Sequence, residues 1–302
     1  MLSRFFKGNP EIPPDTLYYE KNKDALGLSL EEYLRLRKFD HWYVSHTKTT
    51  FLNRPFTISS PYWFLRSVEE IFIHEVYKFE TYKMQPVIID CGASWGLSVI
   101  YFKLRFPHAI ITAYEADYDI CKMALENLRC FNFNQVTLHN MAVWDTNSSV
   151  VFSSEGSVGG SVANAEVSPD DNDYANAPPG TWIGNYNTYF GTHKTEEKQV
   201  EAVRLKHILK KYVAIDFLKI DIEGAEHKVI MDCADELYKV DKMFIEYHSF
   251  PDQPQLLDEI LKALGNNGFR YYIKEASNVF SHPYIRDKDV RYDLQLNIFC
   301  FR

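Results

Sequence analysis

The sequence predicts an α/β fold, a doubly wound, largely parallel sheet with helical crossovers, preceded by a helical segment. Three observations predict it. From residue 86 onward, short apolar runs alternate with stretches of helical spacing. The first apolar run, VIID (87–90), breaks at once into the glycine-bearing turn Asp90-Cys-Gly92-Ala93-Ser94-Trp-Gly96. A later run, FLKID (217–221), breaks into a turn rich in carboxylates. Strand, helix and strand in this rhythm thread a parallel sheet, and buried parallel strands read as continuous apolar runs.

The elements follow in order. Residues 1–85 carry helical spacing at Leu28–Lys38 and again from Tyr62 to Tyr82, so this region is expected to form a helical cap. Residues 86–302 form the main domain. Its expected strands are VIID (87–90), AIITAYEA (109–116) and QVTLHNMAVW (135–144), separated by helices over Leu97–Phe106 and Tyr118–Phe131. Residues 153–199 are small, polar and punctuated by Gly and Pro, which predicts a long loop. Its aromatics, Trp182, Tyr186 and Tyr189, suit stacking on a ligand ring or anchoring the loop. The alternation then resumes: helix 205–212, strand 215–221, helix 224–237, strand 242–250, helix 254–264, and two closing strands over 269–275 and 294–301.

Composition narrows the function classes. The 302 residues are 46% hydrophobic and 25% charged, enough apolar mass for a large core. The formal charge of −8 runs against a general grip on nucleic-acid phosphate. No apolar stretch is long enough to span a bilayer. Met1–Asp15 lacks the apolar run of a signal peptide, and the five cysteines are scattered and odd in number. A cytoplasmic protein with reduced thiols is expected. No motif sets an oligomeric state.

The chemistry sits in four motifs. At D-x-G-x-x-x-G the strand must turn sharply into a helix while a ligand approaches the backbone, and a Cβ obstructs both. The dinucleotide pattern G-x-G-x-x-G and the P-loop are absent, which weighs against an NAD-dependent oxidoreductase. Glu115, at the end of the next strand and about twenty residues on, can accept hydrogen bonds from both hydroxyls of a ribose. Asp221 and Glu223 lie beyond the carboxyl end of a buried strand, where open α/β sheets bind ligands. Glu223 and Glu226 equally suit the first turn of the helix that follows. Glu246 and His248 share a parity and so one face of their strand, and a histidine can take a proton near neutrality.

DCGASWG, YEAD, HNMAVWD (139–145) and above all FLKIDIEGAE followed by FIEYH resemble the FkbM family of class I S-adenosylmethionine-dependent methyltransferases. The resemblance covers about residues 86–275. It implies a Rossmann-like, doubly wound sheet of seven mostly parallel strands with an antiparallel last pair. By that resemblance Asp90, Gly92, Ala93, Ser94 and Gly96 hold the methionine and ribose end of S-adenosylmethionine. Glu115 takes the ribose hydroxyls, with Ala116 beside it where the family usually has Pro. Asn140, Ala142 and Val143 border the adenine. Asp221, Glu223, Glu246 and His248 face the methyl group and the acceptor, with Asp221 or His248 as the base. The implied reaction is O-methylation of a small-molecule or glycan hydroxyl. Two alternatives stand beside it: a divalent metal held by Asp221, Glu223 and Glu246, and a non-catalytic module binding a nucleotide-like ligand.

Overall fold

The computed structural model describes residues 13–40, 45–154, 160–162, 189–190, 193–194, 196–251, 253–277, 284 and 291–302. The N-terminal segment holds α1 (Pro14–Leu26), α2 (Leu30–Leu36) and α3 (Pro61–Val68). Local chemistry starts the helices: Ser29 and Ser60 accept from the backbone N–H groups of Glu32 and Trp63, and Pro61 opens α3. Helices thus occur in this segment, together with a pair of strands. Strands β1 (Thr47–Phe51) and β2 (Arg54–Ile58) form an antiparallel hairpin between α2 and α3. The helical pattern after Tyr62 also stops early. Past α3 the helix widens into one π turn, Glu69–Ile73, and then ends.

The main domain continues with β3 (Val87–Cys91), α4 (Leu97–Arg105), β4 (Ile110–Glu115), α5 (Tyr118–Phe131) and β5 (Val136–Asn140). The run expected as one strand over 135–144 breaks at Met141, and β6 (Ala142–Trp144) leaves the main sheet. The expected loop 153–199 is bounded by strands. β7 (Ser149–Ser154) pairs with the two-residue β8 (Ser161–Val162) and with β11 (Glu196–Arg204), and β11 also pairs with β6. Between them lies a two-residue hairpin, β9 (Tyr189–Phe190) and β10 (His193–Lys194). Trp182 and Tyr186 lie outside the described residues, as does the side chain of Tyr189. The chain closes with α6 (Leu205–Lys210), β12 (Ile215–Ile220), α7 (Glu226–Cys233), β13 (Val240–Ser249), α8 (Leu257–Asn266), β14 (Arg270–Glu275) and β15 (Leu294–Phe301).

The main sheet has seven strands in the order β14-β15-β13-β12-β3-β4-β5, and β15 alone runs antiparallel to its neighbours. This is the class I methyltransferase arrangement that the resemblance implied. Alternating strand residues divide the core into two layers. Ile88, Phe217 and Phe244 face the layer shared with α4 and the N-terminal segment. Ile89, Leu218, Met243 and Ile245 face α6, α7 and α8. The N-terminal segment is packed into the first layer by aromatic contacts: Phe79 lies 4.8 Å from Phe217 between ring centroids, and Tyr77 lies 4.9 Å from Phe244. From β3 the chain winds outward to β4 and β5, then returns to β12 on the other side. That reversal is the switch point where such sheets bind ligands.

Candidate active site

At the switch point two strand ends are locked together. Gly92 follows β3 with φ +94°, and a Cβ there would lie 1.8 Å from the backbone carbonyl oxygen of Asp221. Only glycine fits that contact. The Gly92 and Ala93 N–H groups both donate to the Tyr114 carbonyl, at 3.0 and 2.9 Å, and the Asp221 N–H donates to the Cys91 carbonyl at 3.1 Å. Gly96, with φ +89°, opens α4.

Beneath the turn lies a buried charge centre. Asp90 and Lys219 are register partners on β3 and β12. The Lys219 ammonium stands 3.4 Å from Asp90, 3.1 Å from Asp221 and 2.7 Å from the Gly92 carbonyl, to which it donates. Ser98 donates to the other Asp90 oxygen at 2.5 Å. Burial works against the ammonium, but Asp221 and Asp90 outweigh it and hold Lys219 above its ordinary value. Burial pushes Asp90 up against the pull of Lys219.

A cleft of 1120 Å³ opens above this floor. At one end Ala93, Ser94, Glu115, Ala116, Ala142 and Val143 line it. Glu115 accepts from the Ser94 N–H at 2.8 Å on one oxygen and from the Asp117 N–H at 2.9 Å on the other. A carboxylate has about four lone-pair sites, so each oxygen keeps one. Burial pushes its pKa up to about 7. The Ser94 hydroxyl is buried with no hydrogen-bond partner.

At the other end Asp221, Glu223 and Glu246 line the cleft, joined by Glu70 from the π turn and by Gln295 and Asn297 from β15. The Gln295 amide is 2.5 Å from Glu246 Oε1. Burial first, and then the charge of Asp221, push Glu246 up to about 7. Burial likewise raises Glu223, which accepts from the Tyr292 hydroxyl.

A model of the Methyltransferase FkbM domain matches residues 90–271. The chain belongs to the FkbM methyltransferase family. Methyltransferase 1 of Beauveria bassiana (strain ARSEF 2860) is 24% identical over 184 residues, which are 59% of this chain and 71% of that protein. Among solved structures, the FkbM methyltransferase of Methylobacillus flagellatus KT is 14% identical with a TM-score of 0.43, covering 93% of this chain and 60% of that one. M. jannaschii TYW2 in complex with AdoMet is 11% identical with a TM-score of 0.40, covering 87% and 90%. S-adenosylmethionine is the methyl donor expected of an FkbM enzyme.

Four residues expected to contact ligands stand outside the cleft lining, the first being Gly96, which opens α4. Asp90 is fully buried under the turn, where it pairs with Lys219 instead of lining the cleft. Asn140 donates to the carbonyls of Glu115 and Ala116 at 2.9 and 3.0 Å, so it fixes the end of β4, while Met141 beside it lines the cleft. His248, expected as a base, has a side chain only 1% exposed and does not line the cleft. It is boxed by Glu226 at 3.1 Å, Glu246 at 3.6 Å and Glu223 at 3.7 Å. Burial opposes its charge, but Glu223 and Glu226 outweigh that and hold the imidazole well above its ordinary value. Enclosed by these three carboxylates and away from the cleft lining, it is not placed to take the acceptor's proton. Glu226 is structural: its carboxylate accepts from the N–H groups of Ile222 and Gly224, closing the turn after β12.

Among the described residues, Asp221, Glu223 and His248 bring possible metal-ligand atoms within 4.8 Å of one another. Sequence reasoning missed Lys219, Glu70, Gln295 and Asn297. A lysine inside a buried apolar strand is a signal in itself, because lysine is almost never buried unless paired. Gln295 and Asn297 share a parity in the closing strand, which marks a polar stripe. Nothing local marks Glu70.

Proposed function

We propose that this FkbM enzyme transfers the methyl group of S-adenosylmethionine to a hydroxyl of a sugar, glycan precursor or related natural product. The observation that carries the reading is one cleft joining two chemistries: a glycine turn with a ribose-type carboxylate at one end, and a cluster of acceptor-side carboxylates at the other. Its 1120 Å³ exceeds the roughly 300–1,000 Å³ of a single-ligand pocket, which supports a donor and an acceptor side by side.

The residues at the first end fit the donor. Gly92 lets the turn close against the Asp221 carbonyl, which sets where Ala93 and Ser94 stand. Ser94 offers a buried hydroxyl in want of a partner, and Glu115 keeps acceptor sites for two hydroxyls. Ala142 and Val143 give an apolar wall for a base. When bound, the donor supplies a methyl group on a cationic sulfur. The protein's part is to hold the attacking oxygen in line and to take its proton. We assign that proton to Glu246. It lines the cleft, and its pKa near 7 suits a base at neutral pH. Asp221 lies closer to the charge centre, where its carboxylate is already engaged by the Lys219 ammonium at 3.1 Å.

Glu115→Gln is expected to weaken donor binding by about 1–3 kcal/mol, the cost of losing a charged hydrogen-bond acceptor. The wild type should also bind the donor about tenfold more weakly at pH 6 than at pH 8, because only the ionised carboxylate serves and its pKa is about 7. The variant should lose that dependence. Equal dissociation constants for variant and wild type would place Glu115 outside the donor site. The same shift has a stability sign. A carboxyl with a raised folded pKa favours folding below its unfolded value, and that contribution is lost as pH climbs toward 7.

Glu246→Gln is expected to lower kcat by on the order of 10²-fold and leave donor affinity unchanged. A full rate in the variant would transfer the role to Asp221. The oxygen itself is tested with a donor carrying a 13C-methyl group, incubated with neutral sugars. Labelled methoxy carbon is expected, and label on nitrogen or carbon alone would refute O-methylation.

A further inference from the structure

We propose that Glu70 and Asn297 form an acceptor-binding pair that reads hydroxyls on a neutral polyol next to the site of methylation, so that the N-terminal segment takes part in acceptor choice. The proposal rests on the methyl-transfer reading above.

The pair comes from two distant parts of the chain. Glu70 sits on the π turn that ends α3, where the His74 N–H reaches back to the Glu69 carbonyl at 2.9 Å and the Val76 N–H to the Glu70 carbonyl at 3.2 Å. A π turn resets the facing of the residues around it, and such single turns are frequent at functional sites. Here it leaves Glu69, Glu70 and Ile71 on the wall of the cleft. The neighbouring contacts fix it in place: Glu69 accepts from the Tyr18 hydroxyl at 2.7 Å and from Arg66 at 2.9 Å. Asn297 meets Glu70 from the closing strand, its amide donating to Glu70 Oε1 at 3.1 Å.

Asn297 is 3% exposed and lines the same cleft, and its Oδ1 is buried with no hydrogen-bond partner. A buried acceptor without a donor is costly, and a ligand hydroxyl would satisfy it. Asn297 is also the register partner of Glu246 on β13, so the two side chains stand directly across from each other. An acceptor whose reacting hydroxyl meets Glu246 would thus present its neighbouring hydroxyls to Asn297 and Glu70.

This end is rich in carboxyl groups, which suits an acceptor that donates hydrogen bonds. Glu70, Asp221, Glu223 and Glu246 all line it. Of the cations lining the cleft, Lys219 stands 3.1 Å from Asp221, Arg66 2.9 Å from Glu69 and Arg291 3.9 Å from Glu223, while Lys274, the register partner of Asn297 on β14, is exposed. A polyol donates hydrogen bonds to the Glu70, Asp221, Glu223 and Glu246 carboxyls, whereas a phosphate or carboxylate on the acceptor brings no donor to them.

The test uses the full-length protein saturated with S-adenosylhomocysteine. Neutral hexoses and hexitols are titrated against glucuronate and glucose 1-phosphate, for the wild type, E70Q, E70D and N297L. Saturable binding of a neutral probe is expected, weakened at least about tenfold in E70Q and N297L and partly restored in E70D, with S-adenosylhomocysteine affinity unchanged in all four. Unchanged cofactor affinity also reports that the variants fold. The proposal is overturned if E70Q binds the neutral probe like the wild type, if the anionic probes bind as tightly as the neutral ones, or if no neutral polyol binds the cofactor-loaded protein. Failure to bind S-adenosylhomocysteine at all would instead overturn the methyl-transfer reading.

Discussion

Gly92→Val is expected to leave a folded protein with no measurable affinity for S-adenosylmethionine. The backbone here has φ +94°, which a β-branched residue resists by about 1–2 kcal/mol or more. The larger effect is steric. The first side-chain carbon would overlap the Asp221 carbonyl at 1.8 Å, and that carbonyl belongs to backbone with no freedom to swing aside. Asp221 is tied to β3 through the Cys91 carbonyl, and the Gly92 carbonyl is tied to Lys219. The turn must move, and with it Ala93, Ser94 and the Glu115 contact. A loss beyond about 100-fold, or about 2.7 kcal/mol, is expected by calorimetry. Wild-type affinity in a variant with native circular dichroism would remove the turn from the donor site.

Lys219→Met is expected to cost on the order of 3–5 kcal/mol of folding stability. Removing one partner of a buried ionic cluster leaves the other charges uncompensated. The methionine fills much of the space but leaves Asp90, fully buried, and Asp221 without their shared cation. The pH dependence has a definite sign. The folded state raises the Lys219 pKa, so its contribution is complete below the unfolded lysine value and is lost only as pH rises through the folded value. It is therefore present throughout the neutral range. In the variant the orphaned carboxyls favour their protonated forms, so the deficit should be smaller at pH 5 than at pH 8. Urea denaturation at both pH values measures this. A deficit below about 1 kcal/mol at pH 8 would show that the cluster contributes little to the fold.

Much of the main domain was legible because its signals are local. The helix expected at Tyr118–Phe131 is α5 residue for residue, and the closing strand expected at 294–301 is β15. The first strand gains only Cys91. The N-terminal hairpin was missed for a physical reason. Its turn residues, Leu52 and Asn53, both have positive φ, and leucine is a poor advertisement for a left-handed turn. The break at Met141 is likewise silent, because an apolar run looks the same whether one sheet or two receive it. In the site, sequence motifs found the turn, Glu115 and the carboxylates beyond β12. They could not rank depth. Glu246 and His248 share a face, yet one lines the cleft and the other is enclosed by three glutamates, a distinction set by Glu226 and β15. Glu70 lies more than 200 residues from Asn297 in the chain, and only the folded N-terminal segment brings it to the site.

The account stands most directly on donor binding. The decisive measurement is isothermal titration of the full-length wild-type protein with S-adenosylmethionine and, separately, with NAD. The account predicts single-site binding of the methyl donor at about micromolar affinity, near −8 kcal/mol, and none of NAD. A protein that binds NAD, or neither compound, would contradict it.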